Sequence, residues 1–278
     1  MNQKRNVTPA TQIRVISKQE EYLRAHRNHH RMISFFRLLL ISVFLILWEI
    51  SSNFGWIDSF FFSSPSRVIE CLLELLIENE LILHIGITLW ETIFSFLLVF
   101  LVSIFVATIL WYSDKLSEIL EPYLVILNSL PKSALAPLFI VWLGTGTTTI
   151  IVAGISVAVF GSIISFYTGF QQIDPEKITL IYTLNGTKKD AYTKVVLPGS
   201  IPIMLSTTKV NIGLSLVGVI IGEFLAARQG LGYLIIYGSQ IFQLNMVITS
   251  IIILCIIAFT LYKGVQCLEH FIKKRMKM

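Results

Sequence analysis

Five charged or amide side chains interrupt otherwise apolar stretches of this 278-residue chain. They are Glu91, Asn128, Lys132, Lys209 and Asn211. Ionisable groups inside a hydrocarbon layer are costly, so they are expected to pair with one another or to line a path for a polar solute. The chemistry they indicate is recognition and passage of a solute, because no residue pattern for bond cleavage accompanies them.

Two interpretations of these side chains stay open at the sequence level. In the first, Asn128, Lys132 and Asn211, joined by Glu91, line a translocation pathway. In the second, Glu91 pairs with a lysine and the pair only holds helices together. Lys209 favours a structural role, because a lysine that far from the bilayer centre can extend its ammonium group to the surface.

The surroundings of Lys132 strengthen the pathway interpretation. Pro131 and Pro137 lie in the run N-S-L-P-K-S-A-L-A-P, and we predict that they break the helix there. A broken helix at membrane depth is tolerated only where it is buried in protein or lines a wet cavity.

Composition requires a membrane to surround these residues. Hydrophobic residues make up 54% of the chain and charged residues 14%, too few to cover a soluble surface, and the mean hydropathy is +0.74. Six apolar runs approach or exceed the ~20 residues that a spanning helix needs. We predict an all-α polytopic protein with a basic tail at 1–32 and a transmembrane domain at 33–278. The predicted spans are 33–50, 84–111, 119–143, 147–170, 201–224 and 245–266.

The positions of the basic residues predict the orientation. Most of the 22 lysines and arginines lie in the two terminal tails and in the polar segment between the fourth and fifth spans, whereas the opposite loops carry Arg67 and Arg228. Because cytoplasmic loops are enriched in Lys and Arg, we expect both termini and the polar segment in the cytoplasm.

That polar segment, residues 171–200, is the longest polar interruption between apolar spans. Apolar residues recur in it at helical spacing, Pro175 can begin a helix, and Asn185-Gly186 is a turn signal. We predict two short amphipathic helices with a sharp turn between them, the second ending at Pro198. Such an element has an apolar face to offer to a partner.

Other residue types narrow the class of protein. No nucleotide-binding G-x-x-x-x-G-K-[ST] loop, G-x-S-x-G or H-E-x-x-H motif occurs, so an enzyme is not expected. The histidines at 26, 29 and 30 lack a completing Cys or carboxylate, which favours a cationic membrane anchor over a metal site. Gly218 and Gly222 form a GxxxG pattern, which indicates close helix approach or a subunit contact.

Four blocks in this order carry a resemblance to a known family. They are P-S-R-V at 65–68, L-P-K-S-A-L-A-P-L-F-I-V-W-L-G at 130–144, V-V-L-P-G-S-I-P at 195–202 and G-E-F-L-A-A-R-Q-G-L-G-Y-L-I at 222–235. Together they resemble the permease subunits of bacterial ABC importers, in the branch associated with nitrate, taurine and alkanesulfonate uptake. The resemblance covers the chain from about residue 65 to 235.

The resemblance implies a fold and a set of partners. The fold is the type I importer permease fold in the bacterial plasma membrane. The partners are a second permease subunit, identical or different, two ATP-binding subunits that use ATP and Mg, and an extracytoplasmic solute-binding protein. No cofactor is expected on this chain.

The resemblance also implies that residues 171–200 dock into a groove on the ATP-binding subunit. The implied coupling residues are Thr179, Tyr182, Leu184, Asn185, Gly186, Lys188, Lys189, Asp190, Leu197 and Pro198. The chain departs from the family's Glu-Ala-Ala pattern, with Thr179, Leu180 and Ile181 in those places and Asn185 where glycine is usual. We expect the turn to be kept, because Asn tolerates a left-handed backbone, while the glutamate's polar contact is absent.

Alternatives from other classes are an ATP-independent transporter or channel and a non-transporting scaffold. The first predicts transport by this chain alone and gives the apolar face of 171–200 no purpose. The second gives the broken third span no purpose. For the solute, Lys132 and Lys209 suit a small anion such as a sulfonate or nitrate, while the related branch also serves vitamin precursors.

Overall fold

The computed structural model describes residues 29, 32–33, 35–77 and 80–275, so most of the predicted tail at 1–32 lies outside the described residues. All regular elements in these ranges are helical. They are α1 (Phe35–Asn53), α2 (Ser59–Phe62), α3 (Pro65–Ile77), α4 (Glu80–Tyr112), α5 (Asp114–Ser129), α6 (Lys132–Leu143), α7 (Thr147–Gln171), α8 (Pro175–Thr183), α9 (Lys188–Ala191), a π-helical turn (Tyr192–Val196), α10 (Leu197–Ala226), α11 (Leu231–Gln240) and α12 (Leu244–Arg275).

The chain divides into two compact units, residues 1–67 and 68–278. In the first, the Glu49 side chain near the end of α1 accepts hydrogen bonds from the amide and hydroxyl groups of Ser66, at 3.1 and 2.9 Å. These bonds fix the return of the chain after α2. The second unit holds all the candidate functional residues.

The second unit is built on α7, which packs against both α4 and α10. Its largest apolar core includes Phe166 and Phe170 of α7, both about 1% exposed or less, together with Val99 of α4 and Val196 before α10. A second core joins α11 and α12 to α10. Apolar residues on the outer faces of these helices stay exposed, as expected for surfaces that meet lipid or further subunits.

The glycine pattern in α10 permits the closest helix contact. A Cβ atom on Gly218 would lie 2.8 Å from the carbonyl oxygen of Ala153, and one on Gly222 would lie 2.8 Å from the Cα of Ile150. Of the two readings of the GxxxG pattern, the structure therefore shows close approach of two helices within the chain, α10 against α7.

The described residues contain five helices long and apolar enough to cross a membrane, and six when α5 and α6 are taken as one bent span. Helical ends extend past the predicted spans: α4 starts at Glu80 and α12 continues to Arg275. The reason is that hydropathy marks where the apolar surface stops, whereas the backbone hydrogen bonds continue into the polar region.

The third span is broken once, not twice. α5 and α6 meet at 95°, and Leu130 before Pro131 has the extended backbone (φ −64°, ψ 138°) that a following proline favours. Pro137 lies inside α6, so the prediction that both prolines break the helix is wrong for this residue.

Candidate functional site

The coupling element (residues 171–200) begins with a well-capped helix and a left-handed turn. Asp174 accepts a hydrogen bond from the Glu176 amide at 2.9 Å, and Pro175 is the first residue of α8, as expected. Asn185 has φ 61°, and the Gly186 amide donates to the Ile181 carbonyl at 2.9 Å. The predicted turn is confirmed, because Asn and Gly adopt this conformation at low cost.

A capping box that the sequence analysis overlooked starts α9. The Asp190 amide donates to the Thr187 hydroxyl, and the Thr187 amide donates back to the Asp190 carboxylate at 2.9 Å. Lys194 lies 2.8 Å from the same carboxylate and, together with Thr187, holds the pKa of Asp190 below its usual range. The T-K-K-D spacing was the available signal.

Pro198 does not end the second helix, and that prediction is wrong. α9 continues through the π-helical turn directly into α10, and the Leu197 amide donates to the Tyr192 carbonyl, five residues earlier. The wider turn just before Pro198 accommodates a ring that would clash in a regular helix. The second half of the coupling element, from α9 onward, is therefore continuous with the fifth span.

One face of the coupling element is packed against α4 and α7. Tyr192 is 8% exposed, its hydroxyl is 2.6 Å from that of Thr108, and its ring contacts Trp111 and Phe170 at centroid distances of 5.3 and 5.7 Å. Lys188 extends over the Trp111 ring and donates to a carbonyl at the end of α4. Lys188 is one of the coupling residues that the resemblance implies, and its ammonium group points back to α4.

Other apolar side chains of the element are exposed. Leu184, just before the turn, is 72% exposed, and Leu180 and Tyr182 on α8 are 58% and 46% exposed. We call these three residues, Leu180, Tyr182 and Leu184, the apolar tip. Thr179 and Lys189 are exposed as well, and Gly186 is half-buried. Large apolar side chains on a segment this rich in charge indicate a contact surface for another protein.

The five polar residues of the spans fall into separate places. Lys132 donates to the carbonyls of Leu127 and Asn128, at 2.5 and 2.7 Å, and so caps the end of α5. Its ammonium also lies 5.8 Å from the Phe160 ring centre on α7. The Asn128 side chain faces Gly161, the next residue along α7.

Asn211 completes this group, because its amide donates to the Ser162 hydroxyl at 2.8 Å. Asn128, Lys132 and Asn211 therefore meet three consecutive residues in the middle of α7, at 160–162. Lys209 lies apart in an ion pair with Glu269 of α12 at 2.9 Å, and Glu269 also binds Lys273 at 2.8 Å. This pairing agrees with the structural role that we favoured for Lys209.

Glu91 lies at the other end of the second unit, beside a residue that the sequence analysis missed. Its carboxyl group contacts that of Glu223, and both residues are 1% exposed. Glu223 accepts hydrogen bonds from the Thr88 hydroxyl at 2.7 Å and from the Gly232 amide at 2.6 Å. The second bond satisfies an amide in the first turn of α11, which has no partner within that helix. An acidic residue at the end of an apolar span, nine positions before Gly232, was the signal.

A family model described as "Binding-protein-dependent transport system inner membrane component" matches residues 99–278. The chain belongs to this family. It is a multi-pass plasma-membrane protein and a permease subunit of the ABC importer type, not an enzyme, and its match to the family confirms the resemblance drawn from the four sequence blocks.

Individual relatives of the chain are also named as permease proteins. The permease is 30% identical over 234 residues to a "Probable ABC transporter permease protein" of Haemophilus influenzae, covering 84% of this chain and 94% of the relative. It is 25% identical to a "Putative aliphatic sulfonates transport permease protein" of Bacillus subtilis, covering 85% and 86%.

Solved structures show the same fold. An inward-facing structure of the MetNI methionine ABC transporter aligns with a TM-score of 0.61 at 19% identity, over 68% of this chain and 94% of that one. At this identity the likeness concerns the fold alone, and it confirms the predicted importer permease fold.

Proposed function

We propose that this permease forms half of a solute pathway and is driven through its coupling element by a separate ATP-binding subunit. The observation that carries the proposal is the two-sided character of the element. One face is packed on α4 and α7 around Tyr192, while the residues of the apolar tip stay exposed. A push on the tip is transmitted to the fifth span because α9, the π-helical turn and α10 are continuous.

The solute pathway that we propose passes the middle of α7. Asn128, Lys132 and Asn211 approach residues 160–162 of α7, and Asn211 lies on α10, which continues from the coupling element. A second permease subunit would close this path opposite the largely exposed α5 and α6. An extracytoplasmic solute-binding protein would deliver the solute, and two ATP-binding subunits would hold ATP and Mg.

The solute that we propose is a small sulfonate-like or nitrate-like anion or a vitamin precursor. Relatives named for taurine transport and for formylaminopyrimidine transport are 25% and 23% identical to this chain. The Lys132 ammonium near mid-span supports the anion, since a cation there attracts negative charge.

The test replaces Leu184 with Asp and measures how much ATP-binding subunit co-purifies with the permease. Thr193→Asp is the matched control, because Thr193 is also exposed in the coupling element but lies outside the apolar tip. We expect recovery to fall at least ~10-fold for Leu184→Asp, since a buried unpaired charge costs several kcal/mol, and to persist for the control. Undiminished recovery with Leu184→Asp would contradict the assignment.

A further inference from the structure

The carboxyl groups of Glu91 and Glu223 meet at the end of the second unit opposite the coupling element. An ionised carboxylate only accepts hydrogen bonds, so two carboxyl groups in hydrogen-bonding contact need a proton between them. Among the described residues, neither forms an ion pair with a lysine or arginine that could offset two negative charges.

The hydrogen-bond partners indicate which residue carries the proton. Glu223 accepts from donors on both oxygens, the Thr88 hydroxyl on Oε1 and the Gly232 amide on Oε2. Although Glu223 belongs to α10, its carboxylate lies at the start of α11, where the helix dipole favours negative charge. Glu91 Oε2 is buried and has no partner among the donors of the described structure, which leaves it for the proton.

We propose that Glu91 and Glu223 form a proton-binding site, in which one proton on Glu91 bridges the two carboxyl groups and holds α4 against the α10–α11 junction. The ligand is a proton, and the site does not depend on the proposed solute or on ATP coupling.

A cavity beside Glu91 gives the proton access to the site, and close packing around Glu223 determines which side chain moves when the proton leaves. Glu91 lies on the wall of an open cavity of about 510 Å³, which Trp90, Thr147 and Arg228 also line. Glu223 has no room to retreat, because a Cβ on Gly230 would lie 2.5 Å from its carboxyl carbon. When the proton leaves, Glu91 is therefore the side chain that turns away, into the cavity. This one contact of α4 with the α10–α11 junction is then lost, while the Thr88 and His84 contacts remain.

Other titratable groups lie near the pair, including Tyr233 of α11, whose ring stacks on that of His84. On α4, His84 Nδ1 accepts from the Gly230 amide at 2.8 Å, and Glu80 lies near His84. Arg228 on the α10–α11 loop lines the cavity. On α7, the facing residue is the uncharged Thr147.

The experiment is infrared difference spectroscopy of the full chain in lipid membranes, across a pH titration. The carbonyl stretch of a protonated carboxylic acid reports the bridging proton directly. We expect a band in the wild type that disappears at alkaline pH and shifts when the protein is made with ¹³C-carboxyl glutamate. Glu91→Gln should lose one such acid per chain, whereas Glu118→Gln, at an exposed position on α5, should keep it.

Amide hydrogen exchange tests the mechanical part. At alkaline pH the amides of Leu231 and Gly232 should exchange faster in Glu118→Gln than in Glu91→Gln, because glutamine keeps a hydrogen-bond donor toward Glu223. A wild type without a titratable glutamic-acid band, a band that survives Glu91→Gln, or equal exchange in the two variants at the same pH would each overturn the proposal. Failure of the ATP-coupling test would leave all of these results unchanged.

Discussion

At the scale of single residues, three of the five polar residues that interrupt the spans are satisfied by different means. Lys132 caps a helix end, Asn211 binds a serine across α7, and Lys209 pairs with Glu269. Each arrangement removes the cost of a polar group at membrane depth. Both Lys132 and Asn211 lie beside the middle of α7, where we propose that the solute passes.

Gly230 allows a prediction at this scale. Its φ of +116° and its contact with Glu223 both exclude a side chain, since a Cβ would lie 2.5 Å from the carboxyl group. We expect Gly230→Ala to lower the free energy of unfolding in detergent by about 3–5 kcal/mol, from backbone strain and steric overlap together.

Gly144→Ala is the control, because Gly144 also has a positive φ, +79°, but a Cβ there would meet nothing within 4 Å. It should cost only the backbone strain, about 1–3 kcal/mol. Equal losses for the two variants would mean that the contact with Glu223 contributes nothing.

At the scale of elements, helix caps determine the local shape of the coupling element, and the packing of Tyr192 determines where it is attached. The Asp174 cap, the Asn185 turn and the Thr187–Asp190 capping box shape it locally. The aromatic contacts of Tyr192 then attach it to the ends of α4 and α7. Local signals thus form the hairpin, and packing attaches it to the transmembrane helices.

Two tyrosines of this element should behave in opposite ways. Tyr192→Ala removes a ring that is 8% exposed, and we expect it to destabilise the chain by about 3–5 kcal/mol. Tyr182→Ala, at 46% exposed, should change stability by no more than about 0.5 kcal/mol while reducing co-purification of the ATP-binding subunit. Thermal unfolding and pull-down of both variants provide the measurement, and loss of stability in Tyr182→Ala would contradict the two-sided description.

At the scale of the whole molecule, the second unit has the coupling element at one end and the carboxyl pair at the other. α10 runs between them, from Leu197 to Ala226, and touches α7 through its glycines. One helix therefore joins the two ends of the second unit.

Orientation is the prediction that belongs to this scale. In a chain whose three cysteines (Cys71, Cys255 and Cys267) are replaced by serine, Leu184→Cys should react with a membrane-impermeant maleimide only after the cells are permeabilised. Arg228→Cys, exposed on the α10–α11 loop, should react in intact cells. The reverse pattern would place the coupling element outside and exclude contact with a cytosolic ATP-binding subunit.

The sequence by itself determined the membrane class, the number of spans, the hairpin and its Asn185 turn. These depend on apolar run length and on backbone preferences within a few residues, which are local properties. It misjudged Pro198 and Pro137, because whether a helix continues through a proline depends on how the neighbouring backbone can widen.

Only the tertiary structure decided which polar groups meet. Glu91 and Glu223 are far apart in the chain, as are Lys209 and Glu269, and their contacts arise from the packing of α4 on α10 and of α10 on α12. Buried polar groups must find a partner somewhere, but a sequence states only that need. The partner is chosen by the helix crossings, and these are set by side-chain volumes along whole helices.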